Sequence, residues 1–242
     1  VWPHFLHIRD SMSKEEARKP RISVVIAAQN EAENIGDVIV ACQRHADEVV
    51  VVDGHSTDDT KGVASRLGCV VLSDHNRGKG DAIRVGIEAA SGDILVFMDA
   101  DGSHDANDIP RLIEPIVKGE ADHVAGSRLL GGSSELHGGF DEFFRLAGSS
   151  FITAFINWRF GVRLSESQNG FRAIRADVAR KLDLRENIAS IEQEMIIKTL
   201  RRGYRMAEVP AHEYRRKFGS SHIKLWKVSF RFVYTLIKYC YL

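Results

Sequence analysis

Apolar and polar positions are arranged along this chain in alternating blocks. Ile22–Ala28 is a nearly continuous apolar run, as expected of a strand buried on both faces. Ile35, Val38, Ile39 and Cys42 then fall at i, i+3, i+4 and i+7, one face of a helix. Glu48–Asp53, with four consecutive valines, predicts a second strand, and Thr57-Asp58 offer N-cap side chains for a following helix. Further strands are predicted over 69–72, 94–98 and 123–125. Helices are predicted over 81–90 and 109–117, the latter with Pro110 in its first turn. Strands alternating with helices predict an α/β fold with a mostly parallel central sheet and helices on both faces.

Beyond Arg128 the pattern changes. Gly131, Gly132, Gly138 and Gly139 mark a flexible segment, followed by an aromatic-rich helix over 140–160, and a helix over 191–202 ends at Gly203. Over 223–242, Lys224, Lys227, Arg231, Thr235 and Lys238 form one narrow helical stripe beside a wide apolar surface. The organisation expected is an N-terminal extension over 1–20, a main domain over 21–222 and a C-terminal amphipathic helix over 223–242.

Ligands of open α/β sheets bind outside the carboxyl ends of the strands, so the polar residues after each strand are the candidates. They are Asn30-Glu31, Asp53, Asp99-Ala100-Asp101 and Ser127-Arg128. This set is acidic; neither G-x-G-x-x-G nor G-x-x-x-x-G-K-[ST] occurs, which disfavours a dinucleotide-binding domain and a P-loop enzyme. Lys+Arg and Asp+Glu both total 33 in the 242 residues, against the basic excess of a nucleic-acid binder. Cys42, Cys69 and Cys240 have no metal-site or disulfide-framework spacing, and Val1 to Pro20 lacks the apolar core of a signal peptide. Carboxylates such as Asp99 and Asp101 on a strand exit suit a divalent cation bound together with phosphate oxygens. Asp53 could accept hydrogen bonds from a base or ribose, while Asn30 and Glu31 read equally as helix-start residues.

The segments 22–31, 51–58, 77–80, 98–104 and 125–128 occur in order and resemble the family 2 glycosyltransferases of GT-A fold. Asn169-Gly170-Phe171-Arg172, Glu208-Val209-Pro210 and 217–221 resemble the dolichol-phosphate mannosyltransferase branch, with its polyprenyl-phosphate hexosyltransferases. The resemblance implies a nucleotide-sugar site of Ala27, Asn30, Glu31, Asp53, Lys79, Asp99, Ala100 and Asp101. It implies Mg2+ or Mn2+ on Asp101, with Asp99 and Ser103 as further candidates, and Asp99, Asp101 and Arg128 as catalytic residues. Three positions depart from the family pattern: Ala27-Ala28 replaces its Pro-Thr or Pro-Ser, Ser103 a frequent Gln, and Ser221-His222 a common Ser-Lys.

Acceptor chemistry extends this reading. A hydroxyl acceptor needs a general base, for which Glu194 is the candidate. A lipid phosphate is already anionic, its second pKa lying near about 6, and needs cations instead. Arg128, Arg145, Arg172, Arg215, Arg216 and Lys217, with Ser221, are the candidates for it. The expectation is inverting hexose transfer from GDP-mannose or UDP-glucose to a polyprenyl (dolichyl-type) phosphate. The enzyme would be peripheral on the cytoplasmic face of a membrane, with the stripe over 223–242 against anionic lipid. A homo-oligomer or a membrane protein partner is compatible. The alternatives are transfer to a sugar hydroxyl, a sugar nucleotidyltransferase and a non-catalytic binding protein.

Overall fold

The computed structural model describes residues 18–134, 140–216 and 225–241, with the course of the backbone alone over 140–146 and 225–230. Most of the predicted N-terminal extension, Lys217, Ser221, Lys224 and the side chains of Arg145 and Lys227 therefore lie outside the described residues.

Strands β1 (Ile22–Ala28), β2 (Glu48–Asp53), β3 (Val70–Ser73), β4 (Ile94–Asp99), β5 (His123–Ser127), β6 (Arg172–Arg175) and β7 (Met206–Pro210) form one sheet of order β3-β2-β1-β4-β6-β5-β7. Pairing is parallel except at β6, which runs antiparallel between β4 and β5. Helices α1 (Ile35–Cys42), α2 (Thr60–Arg66) and α4 (Ile109–Val117) cover one face. Helices α3 (Lys79–Ala89), α7 (Ala176–Lys181) and α8 (Ile191–Arg201) cover the other. β1 shows why both faces are apolar. Val24 and Ile26 pack with Ile35, Ile39 and Leu112 on one side, and Val25 packs with Ile83 and Phe97 on the other.

The strand order changes direction around β1, which lies between β2 and β4. Register sets Ala28 opposite Asp53 and Ala27 opposite Asp99. Two carboxylates thus flank the exit of β1, at the crevice where such sheets bind ligands. α5 (Arg128–Gly131) follows β5 directly, and α6 (Phe140–Phe160) begins the remaining helical part.

Two local expectations change. Helix α2 starts at Thr60 rather than near Thr57. Asp58 accepts from the Thr60 amide at 3.0 Å and from the Ala32 amide at 3.0 Å, so it joins two loops as well as marking a helix start. β6 was not expected, because its short Arg172–Arg175 segment has an arginine at each end.

The larger correction concerns α9 (Leu225–Tyr241). The sequence turns its basic stripe toward a membrane; the structure turns the described part of that stripe toward the protein. Thr235, at the middle of the stripe, is fully buried, and Leu236, Tyr239 and Cys240 pack with Ile152 and Ile156 of α6 and Ile196 and Ile197 of α8. Arg231 and Lys238 pair with Glu186 at 3.0 and 3.3 Å. Gln193 of α8 donates to the Phe232 carbonyl at 3.1 Å and Arg201 to the Tyr239 carbonyl at 2.8 Å. A buried carboxylate needs cationic partners, and Glu186 draws the stripe inward. Val233, Tyr234, Ile237 and Tyr241 form the outer side. No helix among the described residues is long and apolar enough to cross a membrane.

Candidate active site

The loops after β1 and β2 brace each other. Asn30, at φ 55°, donates its amide to Ser56 Oγ at 2.8 Å and accepts the Thr57 amide on Oδ1 at 2.7 Å. The Glu31 amide donates to Thr60 Oγ1 at 2.9 Å. Asp53 is fully buried at the end of β2. Its Oδ2 accepts from the Ser56 amide at 3.0 Å and faces Lys61 Nζ at 3.3 Å, while its Oδ1 is buried with no hydrogen-bond partner. An orphan acceptor there is costly unless a donor meets it. Ala27 and Ala100 contribute only backbone and packing; Ala100 is buried in the sheet core.

At the end of β4, Lys79 Nζ lies 2.6 Å from Asp99 Oδ1 and 2.9 Å from Glu192 Oε1. Lys79 is the first residue of α3 and Glu192 is in the first turn of α8, so two helix starts and a strand end converge. Burial works against ionisation of Asp99, but Lys79, His104 and Arg216 outweigh it and hold the carboxyl down at about 2. Burial likewise opposes the charge on Lys79, yet Asp99 and Glu192 raise its pKa. Glu192 Oε2 is buried with no partner, and Arg172 lies fully buried alongside, donating to the carbonyls of Glu192 and Asn169. Lys79, Asp99, Gly170, Arg172 and Glu192 line one cavity with Ile83, Phe97 and Met195.

Asp101 accepts the Ser103 amide on Oδ1 at 3.0 Å and Arg216 Nη2 on Oδ2 at 2.6 Å. Arg216 Nη1 reaches Glu31 Oε1 at 3.5 Å. Burial and the neighbouring Asp101 and Asp99 raise the Glu31 carboxyl, against its hydrogen bond to Asn34 and the charge of Arg216. His104 stacks on Phe171 with ring centroids 5.2 Å apart and meets Asn169 Oδ1 at 3.1 Å, which stiffens the loop after β4.

The structure therefore gathers Asn30, Glu31, Asp53, Lys79, Asp99, Asp101 and Arg216 at one end of the sheet. Of the expected phosphate cradle, Arg216 joins them through its bond to Asp101 and Arg172 lines the cavity beside Lys79 and Asp99, but the guanidinium groups of both already meet protein acceptors. All three guanidinium nitrogens of Arg128 donate to Glu166 or Glu213, and Arg172 is enclosed by backbone carbonyls. Arg215 is exposed. Each buried cation has met a protein acceptor, as burial requires. Glu194, the candidate base in the event of a hydroxyl acceptor, is fully buried beneath the amides of Arg185 and Glu186 and pairs with Lys198 at 2.7 Å. The carboxylate that does face the site is Glu192. Sequence reasoning missed it, although Glu192 and Glu194 both stand in the first turn of α8.

Comparison with known proteins accords with this geometry. The family model described as Glycosyl transferase family 2 matches residues 23–182. An uncharacterised protein of Methanocaldococcus jannaschii is 29% identical over 229 residues, covering 90% of this chain and 93% of that one. A dolichyl-phosphate hexose transferase of Haloferax volcanii is 28% identical over 205 residues, covering 84% and 86%. Among solved structures, glucosyl-3-phosphoglycerate synthase of Mycobacterium tuberculosis with Mn2+, UDP-glucose and phosphoglyceric acid superposes with a TM-score of 0.73 at 26% identity, covering 91% of this chain and 80% of that one. The same enzyme has been captured with Mg2+ and UDP.

These complexes correct the expected acceptor. The complex with Mn2+ and UDP-glucose holds phosphoglyceric acid, a small polar molecule, in a relative that shares this fold over nine-tenths of the chain. The polyprenyl phosphate, the membrane surface as partner and the peripheral site on a cytoplasmic membrane face are withdrawn. Their two supports were the cation cluster and the outward basic stripe; of the described cations, Arg128, Arg172, Arg216, Arg231 and Lys238 are bound to protein groups. With the strand-exit carboxylates, the GT-A architecture and a family match over most of its length in agreement, the chain belongs to glycosyl transferase family 2 and is a glycosyltransferase.

Proposed function

We propose that this protein transfers a hexose from a nucleoside diphosphate sugar to a hydroxyl group of a small polar acceptor. One observation carries the reading: Glu192 is a buried carboxylate with one unpartnered oxygen, 2.9 Å from Lys79, which itself lies 2.6 Å from Asp99. A hydroxyl acceptor requires such a base and a phosphate acceptor does not. The solved relative with phosphoglyceric acid bound supports a small acceptor. The likeness to a dolichyl-phosphate hexose transferase, at 28% identity, supports the hexose chemistry.

In the proposed reaction the acceptor oxygen attacks the anomeric carbon as the bond to the diphosphate breaks, and its proton passes to Glu192. Attack opposite the leaving group inverts configuration. Asp53, with its orphan Oδ1, and the loop of Asn30 and Glu31 hold the nucleoside. Lys79 supplies positive charge beside the diphosphate.

The donor set fits a hard divalent cation. Asp101 and Glu31 bring carboxylate oxygens together on Arg216, and burial, with the nearby charges of Asp101 and Asp99, raises the pKa of Glu31. Among the described residues no three His, Cys, Asp or Glu side chains could hold a metal by themselves. Mg2+ is ordinarily bound by one or two carboxylates together with substrate phosphates. Asp101 would hold it, with Asp99 nearby, and it would neutralise charge on the departing diphosphate.

The test is a matrix of UDP- and GDP-hexoses against 3-phosphoglycerate, simple sugars and a polyprenyl phosphate, with Mg2+ or Mn2+. Product mass identifies the acceptor and NMR the anomer. Transfer to a small hydroxyl acceptor is expected; transfer to polyprenyl phosphate with none to any hydroxyl would overturn the reading.

A further inference from the structure

Lys79 and Glu192 meet at 2.9 Å although 112 residues separate them in sequence, and one segment, 183–190, is attached to the starts of both helices that carry them. On the α3 side, the Gly80 amide donates to the Asn187 carbonyl at 2.8 Å. Arg84 donates to the Glu186 carbonyl and to Asn187 Oδ1. The approach is so close that a Cβ on Gly80 would lie 2.2 Å from the Glu186 carbonyl oxygen, and one on Gly78 2.8 Å from that of Asn187. The glycines flanking Lys79 are thus the residues that let this segment rest on the first turn of α3. On the α8 side, the Ile191 amide donates to the Ile188 carbonyl at 3.0 Å, one residue before Glu192.

The side chain of Glu186 then ties this segment to the C-terminal helix. It is 1% exposed. Oε2 accepts from Ser190 Oγ at 2.9 Å and Arg231 Nε at 3.0 Å; Oε1 accepts from Tyr239 OH at 3.1 Å and Lys238 Nζ at 3.3 Å. Burial would favour the neutral acid, but the bonds from Ser190, Arg231 and Tyr239 hold the carboxyl below its usual range. A buried anion with this many donors is expensive to disturb, so the segment it belongs to has one well-defined position.

We propose that Glu186 is a positioning residue for the transfer reaction, through which the C-terminal helix α9 holds the segment 183–190 and so sets the contact between Lys79 and Glu192. This rests on the roles assigned above to Lys79 and Glu192. Arg231, Lys238 and Tyr239 stay on α9 and need touch neither donor nor acceptor. Their effect passes through Glu186, then through the backbone of 186–190 to the two helix starts.

The experiment compares Glu186→Gln, Arg231→Gln and Lys238→Gln with Ile156→Val, which loosens the packing beneath α9 without touching Glu186. Amide hydrogen exchange needs no acceptor, so it stands whether or not the acceptor reading is right. Expected in the three Gln variants is at least tenfold faster exchange at Gly80 on α3 and in the first turn of α8. Ile156→Val should leave both places unchanged. With an acceptor in hand, kcat should fall about tenfold in the Gln variants while KM for the acceptor stays within twofold. If Glu186→Gln does not fold, Arg231→Gln and Lys238→Gln decide, since both side chains are partly exposed. Faster exchange confined to α9, or kcat losses that merely follow melting temperature and match Ile156→Val, would overturn the proposal.

Discussion

Arg216 reaches back across 115 residues of sequence to donate from Nη2 to Asp101 Oδ2 at 2.6 Å. The same guanidinium lies 3.5 Å from Glu31, so one cation joins the exits of β1 and β4. A divalent cation at Asp101 must compete with this arginine or share the carboxylate with it. Asp101→Asn is expected to abolish metal-stimulated transfer and the stabilisation of the protein by Mn2+ with UDP, both read by activity and thermal shift. Arg216→Gln should bind Mn2+ alone more tightly, with calorimetry as the measure. Full activity in excess chelator would remove the metal from the reaction.

Glu192 and Glu194 separate base from scaffold. Glu192→Gln should lower kcat by about 10²- to 10⁴-fold, the usual range for a lost general base, with the melting temperature nearly unchanged. Glu194→Gln should instead cost stability, about 1–3 kcal/mol, because its buried oxygens accept the Arg185 and Glu186 amides and pair with Lys198. Urea unfolding and steady-state kinetics on both variants separate the two. Catalysis surviving intact in Glu192→Gln would rule out the base.

How much of this was visible beforehand depends on the kind of interaction. β1 and α1 were readable because burial imposes a period: the α1 residues Ile35, Val38, Ile39 and Cys42 are all buried, as their spacing required. The strand-exit positions of Asp53 and Asp99 followed from the same pattern. β6 was hidden because Arg172 looks like a surface residue, yet it is 1% exposed and bonded to two carbonyls. Glu192 was hidden because its importance comes from Lys79, brought close only when α3 and α8 pack on one face. The stripe on α9 was visible as a stripe. Its direction was not, since that is decided by Glu186, a buried acid 45 residues before Arg231.

Gly170 tests how tightly the site is built. A Cβ there would lie 3.1 Å from both Asp99 Oδ2 and Lys79 Nζ. Both are side-chain ends that can give way, so Gly170→Ala should fold with a stability change of about 1 kcal/mol or less. Displaced by even a few tenths of an ångström, they should lower kcat on the order of tenfold. Wild-type kinetics in Gly170→Ala would show that the Lys79–Asp99 contact tolerates displacement.

Acid titration should reveal Asp99. Its folded pKa of about 2 lies below the unfolded value of 3.8, so the ionised form stabilises the fold. That stabilisation is fully present above about pH 4 and is lost as pH falls toward 2. Its size is on the order of 2 kcal/mol. Asp99→Asn should therefore be less stable than wild type at neutral pH and should lose less stability between pH 4 and 2. Equal slopes in that window would show that Lys79 and its neighbours do not hold Asp99 ionised.

The orientation of α9 gives the sharpest contrast between the stripe as read from sequence and as folded. Leu236 and Ile237 are adjacent in the chain, but Leu236 is 3% exposed and Ile237 54%. Leu236 packs in the cluster shared by α6, α8 and α9. Leu236→Ala should therefore cost about 2–5 kcal/mol, the transfer and cavity terms of a buried leucine. Ile237→Ala should change stability by about 0.5 kcal/mol or less, as a surface substitution does. Urea unfolding of the two variants measures the difference directly. An α9 that left its basic stripe free in solvent would give similar small effects at both positions. It would also leave Arg231→Gln and Lys238→Gln neutral for stability, whereas here each removes a partner of a carboxylate that is 1% exposed. A measurable loss in both Gln variants, together with a large gap between Leu236→Ala and Ile237→Ala, is the outcome the packing of α9 requires.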